Sequence, residues 1–356
     1  MVPALAVADA LRDSGADVSF LGARGRAEEE LVPAAGYEID VLDVRGLDRR
    51  NPARAAGAAW LAGRAAIAAR QTLRRRSVSV VLGGGGYVAG PAGLAAISLR
   101  LPLILTEADR RLGLANRLLA RRARRVCLAF PIPGRSGERY LVTGRPVSRA
   151  IAAADRAAAR RRFGIAAGDP CLLVFGGSQG ARSINRAAVE AFAGPPSRSG
   201  AGARERRYHV LQISGHRDFA EVERGLAAAG GPDRYTLVAY EPGLGDALAS
   251  CDLVLARAGG SIFEIAAAAR PAILVPYPYA SARHQHANAE WMAAAGAAVS
   301  IEDSELEPDR LRALVDELLA DPERVARMGA ASASLARPGA AEQVAGEVLA
   351  AAAGQN

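Results

Sequence analysis

Residues 251–289 read CDLVLARAGGSIFEIAAAARPAILVPYPYASARHQHANA. The punctuation of this stretch decides the fold. An apolar run at 253–255 has the length of a buried strand and passes into Arg257-Ala258-Gly259-Gly260-Ser261, which opens a helix carrying Glu264. A second apolar run, 272–275, ends at Pro276. Strand, small-residue turn, helix and strand make the repeating unit of a parallel sheet. Backbone amides at such a helix start suit a diphosphate, and an acid one turn further in suits a ribose diol.

The same rhythm runs outward in both directions. The strand 171–175 is followed by Gly176-Gly177-Ser178-Gln179-Gly180 and a helix from Arg182. Nearer the start, the strand 78–82 is followed by Gly83-Gly84-Gly85-Gly86-Tyr87 with Gly90-Pro91, a helix, and the strand 103–105. Strands are also read at 16–21 and 41–44, with a long Ala/Arg helix over 52–76. The chain opens on a helix with Pro3 in its first turn and no cap before it. Two β-then-α series predict an α/β protein of parallel strands covered on both faces.

At 356 residues the chain is long enough for two cores, since single cores seldom grow past roughly 250–300 residues. Gly144-Arg145-Pro146 punctuates the crossover between the series. The expected domains are 1–145 and 146–337, with a last helix over 338–356 packing back on the first domain. Residues 194–202, rich in Gly, Pro and Ser, read as a low-complexity loop.

Composition narrows the partner. Lys and Arg number 45 against 37 Asp and Glu, a formal net charge of +8 that favours an anionic partner. Cys127, Cys171 and Cys251 sit far apart in apolar segments, which argues against a disulfide framework or metal cluster and for a reducing cytoplasm. No apolar run approaches the roughly 20 residues of a spanning helix, and no secretory signal is present. Arg74-Arg75-Arg76, near Trp60 and Leu61, and Arg121, Arg122, Arg124 and Arg125, near Leu118 and Leu119, interleave basic with apolar side chains. That favours an anionic membrane surface over nucleic acid, for which no aromatic stacking platform is visible. The same arginines also complement helix dipoles.

Each motif has a plain reading beside the functional one. The turn 176–180 is an anion cradle or a tight turn without a ligand. The glycines at 83–86 lack the spacing and following acid of a dinucleotide site, leaving a glycine-lined wall or a tight turn. Glu264 sits on an otherwise apolar helix, so its carboxylate needs ribose hydroxyls or solvent. His284 and His286 are two apart and point to different helix faces, unlike a zinc pair, whereas Gln285 and Asn288 share a face and suit sugar hydroxyls. No metal or cofactor is expected.

Taken in order, these segments resemble the MurG family of peptidoglycan N-acetylglucosaminyltransferases, over nearly the whole chain. Residues 1–10 look like the helix after that family's N-terminal glycine loop, 82–91 like its GGYVSGP element, and 105–120 like its HEQN…GLTN helix. Residues 176–185 are close to its GGSQGARxxN, and 256–269 with 276–289 match its donor region. The resemblance implies a GT-B fold, two Rossmann-like doubly wound domains facing across a cleft. It also implies inverting transfer of GlcNAc from UDP-GlcNAc to lipid I, giving lipid II, by a peripheral protein at the cytoplasmic face of the membrane.

By the same resemblance Ser178, Gln179 and Gly180 face the donor, the backbone around Tyr240 and Glu241 reads uracil, and Gly260 and Ser261 face diphosphate. Glu264 holds ribose, and Gln285 and Asn288 hold GlcNAc. Gly86, Tyr87, Asp109, Asn116 and Arg145 complete the substrate-binding set, with Glu107 the one catalytic candidate. The family's first strand and glycine loop, thought to supply the general base, would precede Met1. Without that strand the N-terminal sheet is expected to lack its centre; the expected cause is a start codon placed too late, because Met1 aligns with a position often held by valine, and the alternative is a chain native as written, with very low transferase activity. The pattern's His, Gln and Asn read Thr106, Ala108 and Asp109, and its GNPVR reads Gly144-Arg145-Pro146-Val147-Ser148, with Arg145 or, alternatively, Arg149 in place of the lost arginine. The rival readings are another GT-B glycolipid transferase, a UDP-GlcNAc 2-epimerase needing a histidine and carboxylates on the sugar, and a UDP-GlcNAc binder without turnover.

Overall fold

The computed structural model describes residues 1–44, 52–177, 180–194, 206–280 and 284–354, with the backbone alone described for 52–60. Ser178, Gln179, the side chain of Trp60 and nearly all of the loop expected at 194–202 lie outside the described residues. The chain divides into two units, one of Met1–Ser148 with Arg337–Asn356, the other Arg149–Ala336.

The first unit begins with α1 (Val2–Asp13), β1 (Ser19–Ala23), α2 (Glu28–Ala34), β2 (Glu38–Leu42) and α3 (Pro52–Arg75). It continues through β3 (Val81–Gly83), α4 (Gly86–Ser98), β4 (Leu103–Glu107), α5 (Leu114–Leu119), β5 (Arg125–Leu128) and β6 (Tyr140–Val142). All its strand pairs are parallel, but they form two sheets: β1 with β2, and β3-β4-β5-β6. Alternation along β4 explains how both faces are covered. Leu103 and Leu105 enter the core with Leu73 of α3 and Ala95 of α4. Ile104 joins Val7 and Leu11 of α1 and Val344 and Val348 of the C-terminal helix. Alanine and glycine keep these layers close; at Gly93 of α4 a Cβ would fall 2.4 Å from Leu119 Cδ1.

Four readings shift. The strand expected at 78–82 is β3, Val81–Gly83, because the chain is still closing α3: Ser77 N–H donates to Arg74, Val78 N–H to Leu73, and Ser77 takes φ +50°. The strands expected at 16–21 and 41–44 form at Ser19–Ala23 and Glu38–Leu42, in the parallel register Ser19 with Glu38. Residues 105–120 are not one helix. β4 runs to Glu107, whose carboxylate accepts N–H groups of Asp109 and Gly113 and closes a loop before the short α5.

The second unit contains α6 (Ala150–Ala153), α7 (Arg156–Arg162), β7 (Cys171–Phe175), α8 (Arg182–Phe192), β8 (His209–Ile213), α9 (Phe219–Ala228), β9 (Tyr235–Val238) and α10 (Leu244–Ser250). Then come β10 (Leu253–Ala256), α11 (Ile262–Ala267), β11 (Ala272–Leu274), α12 (His284–Ala294), β12 (Ala298–Ser300), α13 (Pro308–Leu319) and α14 (Pro322–Leu335). α15 (Ala340–Ala353) returns to the first unit. The sheet order is β12-β11-β10-β7-β8-β9, parallel throughout. Every residue of β7, β8 and β10 is buried, as central parallel strands require. α8 meets the sheet with Ile184, Ala187, Ala188, Ala191 and Phe192, a helical stripe. Each large apolar side chain so buried contributes about 1.5–3 kcal/mol.

Candidate functional site

The second sheet winds one way from β7 through β8 to β9 and the other way from β10 through β11 to β12. Its switch point lies between β7 and β10, whose last residues, Phe175 and Ala256, pair directly. Open α/β sheets bind ligands beyond the carboxyl ends of the strands at such a point. The turns after β7 and β10 are the two glycine-bearing segments singled out in the sequence.

Glycine is sterically required in the first turn. A Cβ at Gly176 would stand 2.2 Å from Ala181 N, and one at Gly180, where φ is +73°, would stand 2.3 Å from Ser214 O. After β10, Gly260 and Ser261 are half-buried at the start of α11. Glu264 is half-buried while its helix neighbours Ile262, Phe263, Ile265 and Ala266 are buried.

α12 closes the other side. Gln285 Oε1 accepts the Tyr277 N–H at 2.9 Å, and Asn288 Nδ2 donates to Ala258 O at 3.0 Å. Both amides therefore grip backbone, one at the turn after β10 and one at the loop after β11. His286 points elsewhere, its Nε2 3.1 Å from Glu302 Oε2, so the two helix faces separate as their spacing implies. Tyr240 stacks on His216 with centroids 5.2 Å apart and planes at 27°. The Glu241 carboxylate is held by Arg162 at 2.7 Å, and the bond raises the guanidinium's already high pKa.

Arg257 is the residue whose role sequence reasoning missed. Its guanidinium donates to the carbonyls of Val275 and Pro276 at 3.2 and 3.3 Å, to Asp303 Oδ1 at 2.5 Å and to Ser183 Oγ at 2.7 Å. Ser183 in turn donates to Asp303 at 2.8 Å. One buried cation thus joins the ends of β10 and β11 and the start of α8 to the turn after β12. The available signal was an arginine directly after an all-apolar strand, since a buried charge must find partners.

The candidates of the first unit lie at the carboxyl ends of β3 and β4, except Arg145, which follows β6. Glu107, at the end of β4, accepts from Asp109 N at 3.2 Å, Gly113 N at 2.7 Å and Asn116 Nδ2 at 3.0 Å. Asn116 also donates to Thr106 O, and its buried Oδ1 has no hydrogen-bond partner. A Cβ at Gly85, where φ is +80°, would lie 4.0 Å from Asn116 Nδ2, so the glycine turn and Asn116 adjoin. Gly86 starts α4 and Tyr87 is 55% exposed beneath Arg26. Asp109 is exposed, and Arg145 is half-buried after Gly144.

The two arginine groups divide between paired and exposed side chains. Arg75 and Arg76 are taken up by Asp40 and Glu38 of β2, and Arg125 by Glu347. Arg121 and Arg122 remain exposed beside α5, whose Leu118 is 69% exposed. Among the described residues, no helix is long and apolar enough to cross a membrane, and no group of three His, Cys, Asp or Glu is placed to hold a metal ion.

Two α/β units of parallel strands, the second doubly wound with glycine turns at its switch point, fit the GT-B class of glycosyltransferase. Residues 1–128 match the glycosyltransferase family 28 N-terminal domain and residues 171–344 its C-terminal domain. A UDP-N-acetylglucosamine--N-acetylmuramyl-(pentapeptide) pyrophosphoryl-undecaprenol N-acetylglucosamine transferase of Halorhodospira halophila is 41% identical over 96% of this chain and 92% of the relative. The protein of that name from Rubrobacter xylanophilus is 40% identical over 97% and 98%. Among solved structures, MurG of Acinetobacter baumannii superposes with a TM-score of 0.73 at 27% identity, covering 98% of this chain and 95% of that one. A UDP-GlcNAc 2-epimerase of Neisseria meningitidis bound to UDP-GlcNAc, at 12% identity and a TM-score of 0.64 over 100% and 96% of the chains, shares the fold alone. The chain belongs to glycosyltransferase family 28, among the N-acetylglucosaminyltransferases of the MurG type.

Proposed function

We propose that this protein moves GlcNAc from UDP-GlcNAc to undecaprenyl-pyrophosphoryl-MurNAc-pentapeptide, lipid I, giving lipid II for peptidoglycan synthesis. The observation that carries the reading is the pairing of Phe175 with Ala256, which sets the turns after β7 and β10 side by side at the switch point. In this reading Ser178, Gln179 and Gly180 line the donor, the backbone at Tyr240 and Glu241 meets uracil, and Gly260 and Ser261 meet diphosphate. Glu264 takes the ribose diol, and Gln285 and Asn288, steadied on Tyr277 N and Ala258 O, present their remaining polar atoms to GlcNAc.

The acceptor hydroxyl attacks the anomeric carbon, a new C–O bond forms as the bond to the diphosphate breaks, and UDP leaves with inversion. The hydroxyl proton passes to a base that we assign to none of the residues named above. Glu107 serves as a positioning group, because both its oxygens are occupied by N–H donors of its own loop. Gly86, Tyr87, Asp109, Asn116 and Arg145 belong to the substrate surface of the first unit. We place the protein as peripheral on the cytoplasmic face, with exposed Leu118 and Leu94 entering the interface and Arg121 and Arg122 meeting anionic headgroups.

The reading is tested by incubating the protein with UDP-GlcNAc and a lipid I analogue. UDP release that depends on the analogue, with a disaccharide product, is expected. UDP-ManNAc formed without acceptor establishes the epimerase instead, and tight UDP-GlcNAc binding with no product leaves a sugar-nucleotide binder.

A further inference from the structure

Beneath the turn after β7 lies a chain of buried polar side chains that the reaction itself does not use. Gln212 of β8 is fully buried, and Asn185 of α8 and Asp218 before α9 are 1% and 2% exposed. The Tyr235 hydroxyl donates to Gln212 Oε1, and Gln212 Nε2 donates to Asn185 Oδ1 at 3.0 Å. Asn185 Nδ2 then divides between Ser214 O at 2.9 Å and Asp218 Oδ2 at 3.1 Å. Arg217 closes the series on Asp218 at 2.9 Å. Each amide has its orientation set by the bond before it, so the series runs one way, from a hydroxyl to a carboxylate.

A polar side chain in the middle of a parallel sheet is destabilising unless fully paired. An apolar residue at 212 would serve the core, as its strand neighbours Val210 and Leu211 do. The end of the series shows what the pairing achieves. Ser214 O, which Asn185 holds, is the atom against which Gly180 packs so closely that a Cβ would come within 2.3 Å, and Asp218 Oδ2 lies 3.3 Å from the same point.

We propose that Gln212 is a positioning residue for the donor: through Asn185 it holds the Ser214 carbonyl and Asp218 in the shape on which the Gly180 end of the turn after β7, taken in its anion-cradle reading, is seated. The inference rests on the donor reading given above. Gln212 touches no substrate, and its effect reaches the ligand only through the backbone at Gly180. The stacked pair His216 and Tyr240, on the uracil side of the donor reading, is no member of this series.

The test uses the full chain and calorimetric titration with UDP-GlcNAc, UDP and, by competition, uridine. Gln212→Leu is expected to weaken UDP-GlcNAc and UDP about tenfold, the scale of one net hydrogen bond, and to leave uridine unchanged. Tyr235→Phe, which removes only the outer donor, should lose less than Gln212→Leu. Leu211→Ala, a buried change on the same strand, should lower the melting temperature and spare donor affinity. Unchanged donor affinity in Gln212→Leu, equal loss for uridine, or equal loss in Leu211→Ala overturns the inference. Should Gln212→Leu fail to fold, Asn185→Asp, which sets a carboxylate against Ser214 O and Asp218, decides it by the same readout. If the parent chain binds no UDP-GlcNAc, it is the donor reading that falls.

Discussion

Arg257 and Asp303 meet at 2.5 Å, the guanidinium following β10 and the carboxylate following β12. Arg257 is 9% exposed, so its charge depends on this partner, on Ser183 and on two carbonyls. Removing one partner of such a pair strands the other charge away from water. Asp303→Ala should therefore lower unfolding stability by about 2–3 kcal/mol and weaken UDP-GlcNAc, since Arg257 also carries the Pro276 carbonyl beside the Gln285 anchor. Urea denaturation and calorimetric titration measure both; a parental midpoint would show the pair to be ornamental.

Gly180 combines φ +73° with the seat on Ser214 O. Gly180→Ala meets a strained backbone and a steric overlap at once, for a cost of about 2–4 kcal/mol. Donor affinity should drop at least as far as in Gln212→Leu. A Gly180→Ala protein with parental melting temperature and donor affinity would refute the close approach.

Glu107 accepts three N–H groups and donates to none. Gln in its place turns one acceptor oxygen into a donor facing a donor. Stability should fall by about 1–3 kcal/mol, measured by denaturant midpoint, and amide exchange at Asp109 and Gly113 should quicken. Glu107→Gln that keeps slow exchange there would contradict the loop geometry.

His209, buried on β8 with Nε2 2.8 Å from Thr236 Oγ1, has its pKa pulled down to about 4, first by burial and then by nearby Arg206. Unfolded, it titrates near 6.5. Between those values the unfolded chain binds the extra proton, so this contribution is complete above about pH 6.5 and is lost as pH falls toward 4. The full effect is about 3 kcal/mol. His209→Gln should flatten that slope in melting curves collected from pH 7 to pH 4; an unchanged slope places the acid sensitivity elsewhere.

Cys127, Cys171 and Cys251 are buried, and burial pushes the Cys127 and Cys251 thiols up to about 12 and Cys171 well above its ordinary value. Thiolate is the reactive form. At pH 8 a thiol reagent should leave all three unmodified in the folded protein and modify all three in urea. Rapid labelling of any one without denaturant would contradict its burial.

Much of this was legible in the chain because it is local. The strand at Cys171–Phe175 and the helix from Arg182 follow from an apolar run, a glycine turn and a 3.6-residue stripe. Gln285 and Asn288 could be put on one face by spacing alone, and both turn to the β10 and β11 loops. Strand edges were less legible. Val78 is apolar enough for a strand, yet its N–H belongs to the end of α3. Glu107 ends a strand where a motif resemblance had put a helix, because a carboxylate that gathers the amides of its own loop leaves no periodic trace.

The sequence by itself determined the alternation of strands and helices, the two glycine turns and the family whose motifs they match, since backbone conformation and amphipathic period are set by neighbours in the chain. Only the tertiary structure decided that Phe175 lies beside Ala256, that Arg257 reaches Asp303 and that Gln212 reaches Asn185. Those pairs are distant in sequence, and nothing in the local context of either member names its partner. Their partners exist only once the sheet has ordered its strands with β7 and β10 at the centre, when burial penalises an enclosed charge or amide left unpaired.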